Sequence, residues 1–596
     1  MYNEEKTLER WIYIMNNIPR NEHPRPDRHR DSWLCLNGTW DFEIDNSLVG
    51  VAKKFFDRDS LESKITVPFC PESKLSGVQH TDFMNAVWYR RDIDIPTEWA
   101  GKNVILHIDA SDYETTLYVN GKKVGTHRGG YTSFQFDITK YLRESGNYVT
   151  VYAVDNIRSE RQVAGKQSLD FGSHGCHYTR TTGIWQTVWL EAVEPAYVTA
   201  YRVFANISEP SVALEVLTSN VSVGGELCVE AYYEGKLMGK ASATVCSDST
   251  SLNIALAEKH IWECGCGRLY DLKFSLTKDG KTDLMDGYFG LREVALTREK
   301  GLMINGKTVF GRFVLDQGFN PDGIITAPND EHLIFDIEAS MSCGFNGARL
   351  HQKVFEPRFL YHADRLGYMV WDDTGNWGLD TTLDSNIYNF LPEWLEEVER
   401  DFSHPSIIGW CPFNETWDKH GRQQANHFLD SIYEITKAID KTRPVLTVSG
   451  SYPTERTDVH DVHDYEQDPV KFRSYYAEID KGIVRDQIQR GSPNRQISKT
   501  HLPIFVSEYG GIGWVMKEDA TAWGYGKSVE GEEDFFKRLE GLTDALLENK
   551  DIFAYCYTQL TDVEQEQNGL LTYDRQFKFE PERFKRIFSK KAAIEN

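Results

Sequence analysis

The sequence has no cysteine pair of the CxxC type, no long apolar run and no excess of positive charge. Its 596 residues carry a formal net charge of −24, which argues against a nucleic-acid partner and against an anionic membrane, because both require a basic surface. No segment approaches the roughly 18 consecutive apolar residues of a membrane span. The chain opens without a basic segment and an apolar core typical of an export signal. These absences predict a cytoplasmic protein.

Motifs for metals and nucleotides are missing too. Cys264 and Cys266 are the one close pair among ten cysteines, and no second pair completes a zinc site. His460 and His463 have a metal-like spacing, but on a strand they face opposite sides of the sheet. A GxxxxGK[ST] phosphate loop and an HExxH helix are absent. We therefore expect no metal and no cofactor.

The first half of the chain has the pattern of β-sandwiches. Short alternating strands follow one another up to about residue 194, and Asn120-Gly121 between two of them is a strong hairpin signal. This pattern predicts a jelly-roll sandwich over residues 1–194. A smaller block of similar strands predicts an immunoglobulin-like sandwich over residues 195–296.

After residue 296 the pattern changes to buried strands that alternate with amphipathic helices. Eight strands with helices between successive ones predict a (β/α)₈ barrel over residues 297–596. The predicted strands are 312–315, 345–350, 368–371, 407–413, 445–448, 459–463, 504–507 and 552–557. The predicted helices are 331–341, 391–402, 423–438 and 533–547.

Two of the predicted barrel strands end in a glutamate. Glu415 follows the fourth strand and Glu508 follows the seventh. Barrel enzymes keep their chemistry at the carboxyl ends of the strands. Two carboxylates that face each other across a sugar are what glycoside hydrolysis requires. The alternative is that each glutamate caps the following helix.

The chain also resembles glycoside hydrolase family 2, the family of bacterial β-galactosidases and β-glucuronidases, along nearly its whole length. The resemblance is carried by motifs in family order at residues 36–40 (LNGTW), 87–91 (VWYRR), 119–121 (VNG), 129–132 (GGYT), 178–186 (YTRTTGIWQ), 288–292 (YFGLR), 404–410 (HPSIIGW), 413–415 (FNE) and 507–510 (SEYG).

The resemblance implies a retaining exo-β-glycosidase with Glu415 as the general acid/base and Glu508 as the nucleophile. It also implies that Asn414 hydrogen-bonds the 2-hydroxyl of the sugar and that Arg349 orients the nucleophile. Further predicted substrate contacts are His351, Asp372, Asp373, Trp377, His463, Tyr465, Trp523, Tyr557, Glu566 and Asn568.

The sequence of the last barrel loop narrows the range of candidate substrates. β-Glucuronidases of this family carry Asn-x-Lys before a glycine, and the lysine meets the sugar carboxylate. Here the loop reads Glu566-Gln567-Asn568-Gly569 and supplies no cation. A β-galactoside is therefore our first expectation, and galactofuranosides, α-L-arabinopyranosides and β-glucuronides stay open.

A second class of function also stays open, that of a carbohydrate-binding protein that no longer hydrolyses its ligand. Both glutamates are present, which favours the enzyme. The expected partner is thus a carbohydrate, and related enzymes suggest a homo-oligomer.

Overall fold

The computed structural model describes residues 18–484, 501–516 and 520–596. Residues 1–17, which begin the first predicted domain, lie outside the described residues. Two β-sandwiches precede a barrel of parallel strands, as predicted. Among the described residues, no helix combines the length and apolarity needed to cross a membrane.

The first sandwich packs a six-stranded sheet, β3-β2-β4-β10-β7-β8, on a four-stranded sheet, β1-β12-β5-β9. Buried side chains such as Trp40, Leu106 and Leu190 fill the space between them. The strands are β1 (Trp33–Cys35), β2 (Gly38–Ile44), β3 (Ser63–Val67), β4 (Ala86–Ile93), β5 (Asn103–Ile108), β6 (Ser111–Asp112), β7 (Glu114–Val119), β8 (Lys122–Arg128), β9 (Phe134–Asp137), β10 (Asn147–Val154), β11 (Gly183–Ile184) and β12 (Val188–Val193).

The hairpin predicted at Asn120-Gly121 joins β7 to β8. Asn120 has a φ of 51° and Gly121 a φ of 75°. Two successive positive φ angles form the type I′ turn, whose twist matches that of paired strands, and asparagine and glycine adopt them most readily. The dipeptide therefore fixes this hairpin locally.

The second sandwich packs a three-stranded sheet, β13-β14-β17, on a four-stranded sheet, β16-β15-β18-β19. Seven antiparallel strands in two sheets agree with the predicted immunoglobulin-like architecture. The strands are β13 (Val198–Asn206), β14 (Ser211–Thr218), β15 (Glu226–Tyr233), β16 (Lys236–Thr244), β17 (Ser249–Ala255), β18 (Tyr270–Lys278) and β19 (Lys281–Phe289).

A small sheet closes the amino-terminal end of the barrel. It consists of β20 (Val294–Thr297), β21 (Gly301–Ile304) and β22 (Lys307–Thr308). Leu302 and Ile304 belong to the same buried cluster as Phe313, Phe505 and Phe553 of the barrel strands. This end of the barrel is therefore apolar and filled.

The barrel strands form the parallel order β26-β25-β24-β23-β31-β30-β29. A second parallel pair, β27-β28, continues the fourth and fifth positions. The strands are β23 (Gly311–Asp316), β24 (Gly347–Leu350), β25 (Met369–Asp373), β26 (Ile407–Cys411), β27 (Phe413–Asn414), β28 (Val448–Ser449), β29 (His460–Asp464), β30 (Ile504–Gly510) and β31 (Ile552–Thr558).

Three details of the predicted barrel are wrong. The predicted fourth strand breaks between β26 and β27 at Pro412, which has no N–H for a ladder. The predicted fifth strand, 445–448, is reduced to β28 and one bridge between Val445 and Trp410. Residues 450–459, all of them described, contain no helix between the fifth and sixth strands.

All four predicted helices occur, with ends shifted by at most four residues. Short side chains and prolines mark several of their starts, as when the Asn329 side chain accepts a hydrogen bond from the His332 N–H. The helices are α1 (Asp330–Ser342), α2 (Pro357–Leu366), α3 (Ile387–Asp401), α4 (Asn426–Ile439), α5 (Pro469–Tyr475), α6 (Glu532–Leu547) and α7 (Pro581–Phe588).

Candidate active site

Glu508 lies on β30, toward the carboxyl end of the barrel, with its side chain almost fully buried. One carboxylate oxygen, Oε1, accepts a hydrogen bond from Arg349 at 2.9 Å. The other, Oε2, accepts one from the Tyr465 hydroxyl at 2.5 Å. His351 Nε2 lies 3.4 Å from Oε1. Both oxygens are thus held in a fixed orientation.

Glu415 directly follows β27, and its backbone is left-handed, with a φ of 45°. This conformation is disfavoured for a residue with a Cβ. The Glu415 N–H donates to the Ser449 carbonyl at 2.8 Å, which ties the residue to β28. Its side chain retains 25% of its accessible surface, so this carboxyl, unlike that of Glu508, reaches open space.

The two glutamates converge on one point. One carboxylate oxygen of Glu415, one of Glu508 and a ring nitrogen of His463 all lie within 4.8 Å of one another. Retaining glycosidases hold their carboxyl groups about 5–5.5 Å apart, and inverting ones about 6.5–9.5 Å apart to seat a water. The separation therefore agrees with the retaining arrangement.

His463 lies between the two carboxylates. Its Nδ1 is 3.1 Å from Glu415 Oε1 and 3.4 Å from Glu508 Oε2. Burial would lower the pKa of His463, but Glu508, Glu415 and Asp461 raise it. Burial likewise opposes ionisation of Glu508, yet His463, His351 and Arg349 hold the pKa of its carboxyl well below the usual range. Glu508 is thus a carboxylate at neutral pH, as a nucleophile must be.

Arg349 links Glu508 to the rest of the pocket. On β24, it donates to Glu508, to Asp373 at 2.8 Å and to Asn414 at 2.6 Å. Burial raises the pKa of Asp373 to about 7, against the lowering effect of Arg349. Arg349 therefore lies beside Glu508, at the position that the resemblance implied, and Asp373 contacts Arg349 directly.

Asn414 is held by the loop after β25. Asn376 accepts from the Asn414 N–H at 2.7 Å and donates to its carbonyl at 3.0 Å. Trp377 donates to the same carbonyl at 3.1 Å. The side-chain NH₂ of Asn414 is buried and has no partner among the described residues. It is a donor left over for a ligand.

A lysine from the first sandwich, which the sequence analysis did not single out, also enters the pocket. The Lys166 side chain is buried, and its Nζ lies 4.6 Å from the centre of the Trp377 ring. Burial would lower its pKa, but neighbouring acidic groups, Glu566, Glu508 and Glu415 among them, raise it. Within the described part of the chain, no carboxylate lies within 4.0 Å of Nζ and no group hydrogen-bonds to it. Nothing in the loop sequence distinguishes this lysine from a surface one.

The last barrel loop is tied to the first sandwich through Glu566. Its Oε2 accepts from the Tyr178 hydroxyl at 2.7 Å and its Oε1 from Asn568 at 3.2 Å. From there a chain of polar side chains (the relay) continues to Glu508. In the relay, Gln559 donates to Asn568, Gln317 donates to Gln559, His351 Nδ1 lies 2.9 Å from Gln317 Oε1, and His351 Nε2 faces Glu508.

Aromatic side chains close the rim. Tyr525, which the sequence analysis missed, stacks on Tyr465 with ring centres 3.5 Å apart. Trp523 contacts Tyr525 edge-on and donates through its indole N–H to the Gly175 carbonyl. The glycines that flank Tyr525 in the Gly-Tyr-Gly sequence were the signal that could have found it, since they allow close approach to other backbone.

Two predicted contacts do not face the pocket. Asp372 precedes the inward-facing Asp373 on β25, so it points to the helix side, where Glu397 and Asp401 of α3 are its charged neighbours. Tyr557 on β31 packs between Tyr509 and Phe588 in the layer between strands and helices. Strand alternation excludes both from substrate contact.

Two groups of side chains have a metal-like spacing among the described residues. One is the set of Glu415, His463 and Glu508, in which His463 Nδ1 lies 3.1 Å from Glu415 and 3.4 Å from Glu508. The other is Glu160, Asp380 and His420, where Lys419 pairs with Glu160 and Arg422 with Asp380. Since cations of the chain already neutralise that second group, we assign no metal to it.

Two family models match the chain. The sugar-binding domain of glycosyl hydrolases family 2 matches residues 34–191, and the TIM barrel domain of the same family matches residues 297–586. The chain belongs to glycoside hydrolase family 2. The fold described above is that of a family 2 glycosidase.

Curated relatives of this family 2 member carry two different activities in their names. A β-galactosidase of Thermoanaerobacter pseudethanolicus is 27% identical over 442 residues, which are 69% of this chain and 55% of that protein. A mouse β-glucuronidase is 26% identical over 522 residues, which are 80% of this chain and 77% of that protein. The relatives therefore leave the sugar undecided.

Solved structures agree on the fold. A β-glucuronidase from an uncultured Clostridium species has a TM-score of 0.75 at 19% identity and covers 94% of this chain and 98% of its own. A β-glucuronidase from Dictyoglomus thermophilum has a TM-score of 0.74 at 19% identity and covers 95% of this chain and 98% of its own. At this identity the likeness establishes the fold alone.

Proposed function

We propose that this family 2 glycosidase removes terminal sugars from β-glycosides by double displacement, with retention at the anomeric carbon. The observation that carries the proposal is the convergence of Glu415, Glu508 and His463 within 4.8 Å. A pair of carboxyls this close leaves no room for an attacking water between them and suits attack by one of them.

In the first step Glu508 attacks the anomeric carbon and the bond to the leaving oxygen breaks while Glu415 protonates that oxygen. Arg349 and Tyr465 orient the attacking carboxylate. In the second step Glu415, now a carboxylate, takes a proton from water, which displaces Glu508 from the covalent glycosyl-enzyme. The unused NH₂ of Asn414 is suited to the 2-hydroxyl, a contact that strengthens in the transition state.

A β-galactoside is the first substrate we propose. Glu566 and Asn568 occupy the loop position at which the resemblance puts a carboxylate-binding lysine. Burial raises the pKa of Glu566, and its carboxyl, held by Tyr178 and Asn568, offers no positive charge to a sugar carboxylate but can bind hydroxyls by hydrogen bonds. The sugars of galactofuranosides and α-L-arabinopyranosides are also uncharged, so they need no cation in this loop either.

A β-glucuronide is the second candidate, and Lys166 favours it. The buried Lys166 ammonium, whose charged form Glu566, Glu508 and Glu415 favour, has no carboxylate within 4.0 Å of it among the described residues. A sugar carboxylate would supply that partner from the sandwich side of the pocket. The β-glucuronidases among the relatives give this candidate further support.

The decisive experiment is a panel of p-nitrophenyl glycosides of β-galactose, β-glucuronate, β-galactofuranose and α-L-arabinopyranose, with the anomer of the first product followed by NMR. We expect the β-galactoside to have the highest kcat/KM and the first product to be the β-anomer. An α-anomer would contradict double displacement. Sugar binding by calorimetry without release from any glycoside would instead support the non-catalytic carbohydrate-binding protein.

A further inference from the structure

A second cavity opens beside Glu415, on the side away from the nucleophile. Its volume is about 410 Å³, and Glu508 is not among its lining residues. It lies between the loop after β25 and the loop after β27. The lining residues are His177, Asn376, Trp377, Gly378, Leu379, Thr381, Glu415, Thr416, Trp417, Asp418 and Lys419.

The chemistry of the reaction assigns a role to this cavity. The acid protonates the oxygen that joins the sugar to its leaving group, so the leaving group extends past the acid and away from the nucleophile. A space that touches Glu415 and not Glu508 is therefore on the path of the leaving group.

The walls of the cavity are unusually apolar for a surface opening. Trp377, Leu379 and Trp417 supply large hydrophobic surfaces. Trp417 stays 47% exposed and meets Tyr452 edge-on, with ring centres 5.6 Å apart. Covering the exposed face of the Trp417 indole with a flat apolar ligand would be favourable, because it removes apolar surface from water.

Several polar groups of the lining are already used within the chain. The Asn376 amide is bonded to Asn414 on both sides. The Thr416 hydroxyl donates to Gln424 at 2.5 Å, and Lys419 pairs with Glu160 at 2.9 Å. The Nδ1 of the lining residue His177 has no hydrogen-bond partner among the described residues. A second sugar, with several hydroxyls to satisfy, would need more partners than this one, whereas an aromatic ring needs none.

We propose that this cavity is an aglycone site that binds a planar aromatic leaving group against Trp417 and Trp377. The inference rests on the proposed glycosidase function and adds the class of compound that is hydrolysed. The physiological substrates are then glycosides of aromatic alcohols or phenols rather than oligosaccharides.

The test compares two glycosides that share the sugar preferred in the panel and differ only in the flatness of the leaving group. Benzyl and cyclohexylmethyl alcohols are similar in size and acidity, so chemistry alone does not separate them. We expect the wild type to favour the benzyl glycoside by about 3- to 10-fold in kcat/KM, the range of an aromatic contact. Trp417→Ala should abolish this ratio, and Trp417→Phe should retain most of it.

The matched control is Tyr388→Ala, which removes another exposed aromatic side chain, 81% exposed on α3 and outside this cavity. It should leave the ratio unchanged. A ratio near one in the wild type, or a β-linked disaccharide hydrolysed faster than the benzyl glycoside and equally affected by Trp417→Ala, overturns the aromatic site.

Binding of the S-benzyl and S-cyclohexylmethyl thioglycosides, measured by calorimetry, separates the two proposals. These compounds resist hydrolysis, so their affinities do not depend on turnover. Preference for the S-benzyl compound that disappears in Trp417→Ala supports the aromatic site even if no glycoside is cleaved, an outcome that refutes only the proposed reaction. Equal affinities refute the aromatic site whether or not hydrolysis occurs.

Discussion

The barrel and the first sandwich contribute to the same pocket in different ways. The barrel supplies the groups closest to the reaction, Glu415, Glu508 and Arg349, each on or next to a strand. The sandwich supplies Lys166 and Tyr178 from one loop between β10 and β11, which lies against the barrel mouth. Strand ends fix atoms more tightly than loops do. In the proposed reaction the barrel therefore performs the chemistry, and the sandwich loop together with Glu566 and Asn568 of the last barrel loop selects the sugar.

The largest effect is expected from the nucleophile. Glu508→Ala removes the group that forms the covalent intermediate and should lower kcat by about 10⁵- to 10⁶-fold, as in other hydrolases that lose a nucleophile. Added azide should restore turnover and give the α-glycosyl azide, which NMR identifies, since it attacks from the vacated side. A variant that retains near-normal activity would contradict the assignment.

The second largest effect is expected from the acid. Glu415→Ala should lower kcat/KM by about 10²- to 10⁴-fold, the usual range for general acid catalysis. The loss should be greatest for the benzyl glycoside and smallest for the p-nitrophenyl glycoside, whose leaving group needs little protonation. Azide should here give the β-glycosyl azide. Equal losses for both leaving groups would show that Glu415 does not act as the acid.

These barrel residues could be predicted because their signals are local. Each glutamate ends a short apolar strand bounded by glycine or proline, and parallel strand ends meet at one rim. The predictions that Asp372 and Tyr557 contact the substrate were wrong, and the reason is again local. Both residues lie on strands, but the alternation of side chains along a strand turns each to the helix side. A prediction from strand ends needs the phase of the strand as well as its position.

The sandwich residues could not be predicted in this way. Lys166 and Glu508 are more than three hundred positions apart in the sequence, and the pattern around Lys166 is that of an ordinary loop. Its location depends on how two domains dock, for example through the Ala164 N–H, which donates to the Trp377 carbonyl at 2.6 Å. Likewise, the hydrophobic periodicity of residues 450–459 does not reveal that the helix expected before β29 is absent there.

A smaller and selective effect is expected from the sandwich. Lys166→Met should raise the inhibition constant of free glucuronate about 30-fold or more, the effect of removing one partner of a buried charge pair. The inhibition constant of galactose should change much less, because a neutral hydroxyl does not need the charge. Lys123→Met, at an exposed position on β8, is the control. Equal changes for both sugars would make Lys166 a structural residue.

The smallest effect on activity is expected in the interior of the sandwich, at Glu72. Burial raises the pKa of Glu72 to about 8, against about 4.3 in an unfolded chain. The folded state therefore holds a proton that the unfolded state has lost, and stability decreases as the pH rises from about 4 to 8. Glu72→Gln removes this loss. Its Tm should equal that of the wild type at pH 4 and exceed it by about 2–4 °C at pH 8.5.

Thermal unfolding at several pH values, together with kcat/KM at pH 7, checks this prediction. Activity should stay within about twofold of the wild type, since a surface or core change away from the site leaves the transition state untouched. Parallel pH profiles of Tm in the two proteins would show that Glu72 does not carry this part of the pH dependence.

The relay from Tyr178 to His351 has a further consequence. Each amide in it gives its N–H toward Glu566 and receives a donor from the side of Glu508. Amides cannot reverse singly in such a file, because two carbonyl oxygens or two NH₂ groups would then meet. A reversal of the whole file would therefore require the hydrogen of the His351 imidazole to move from Nδ1 to Nε2, the nitrogen that faces Glu508. The direction of these hydrogen bonds therefore depends on both domains. A first sandwich taken from a relative without Tyr178 would lack the hydroxyl that donates to Glu566.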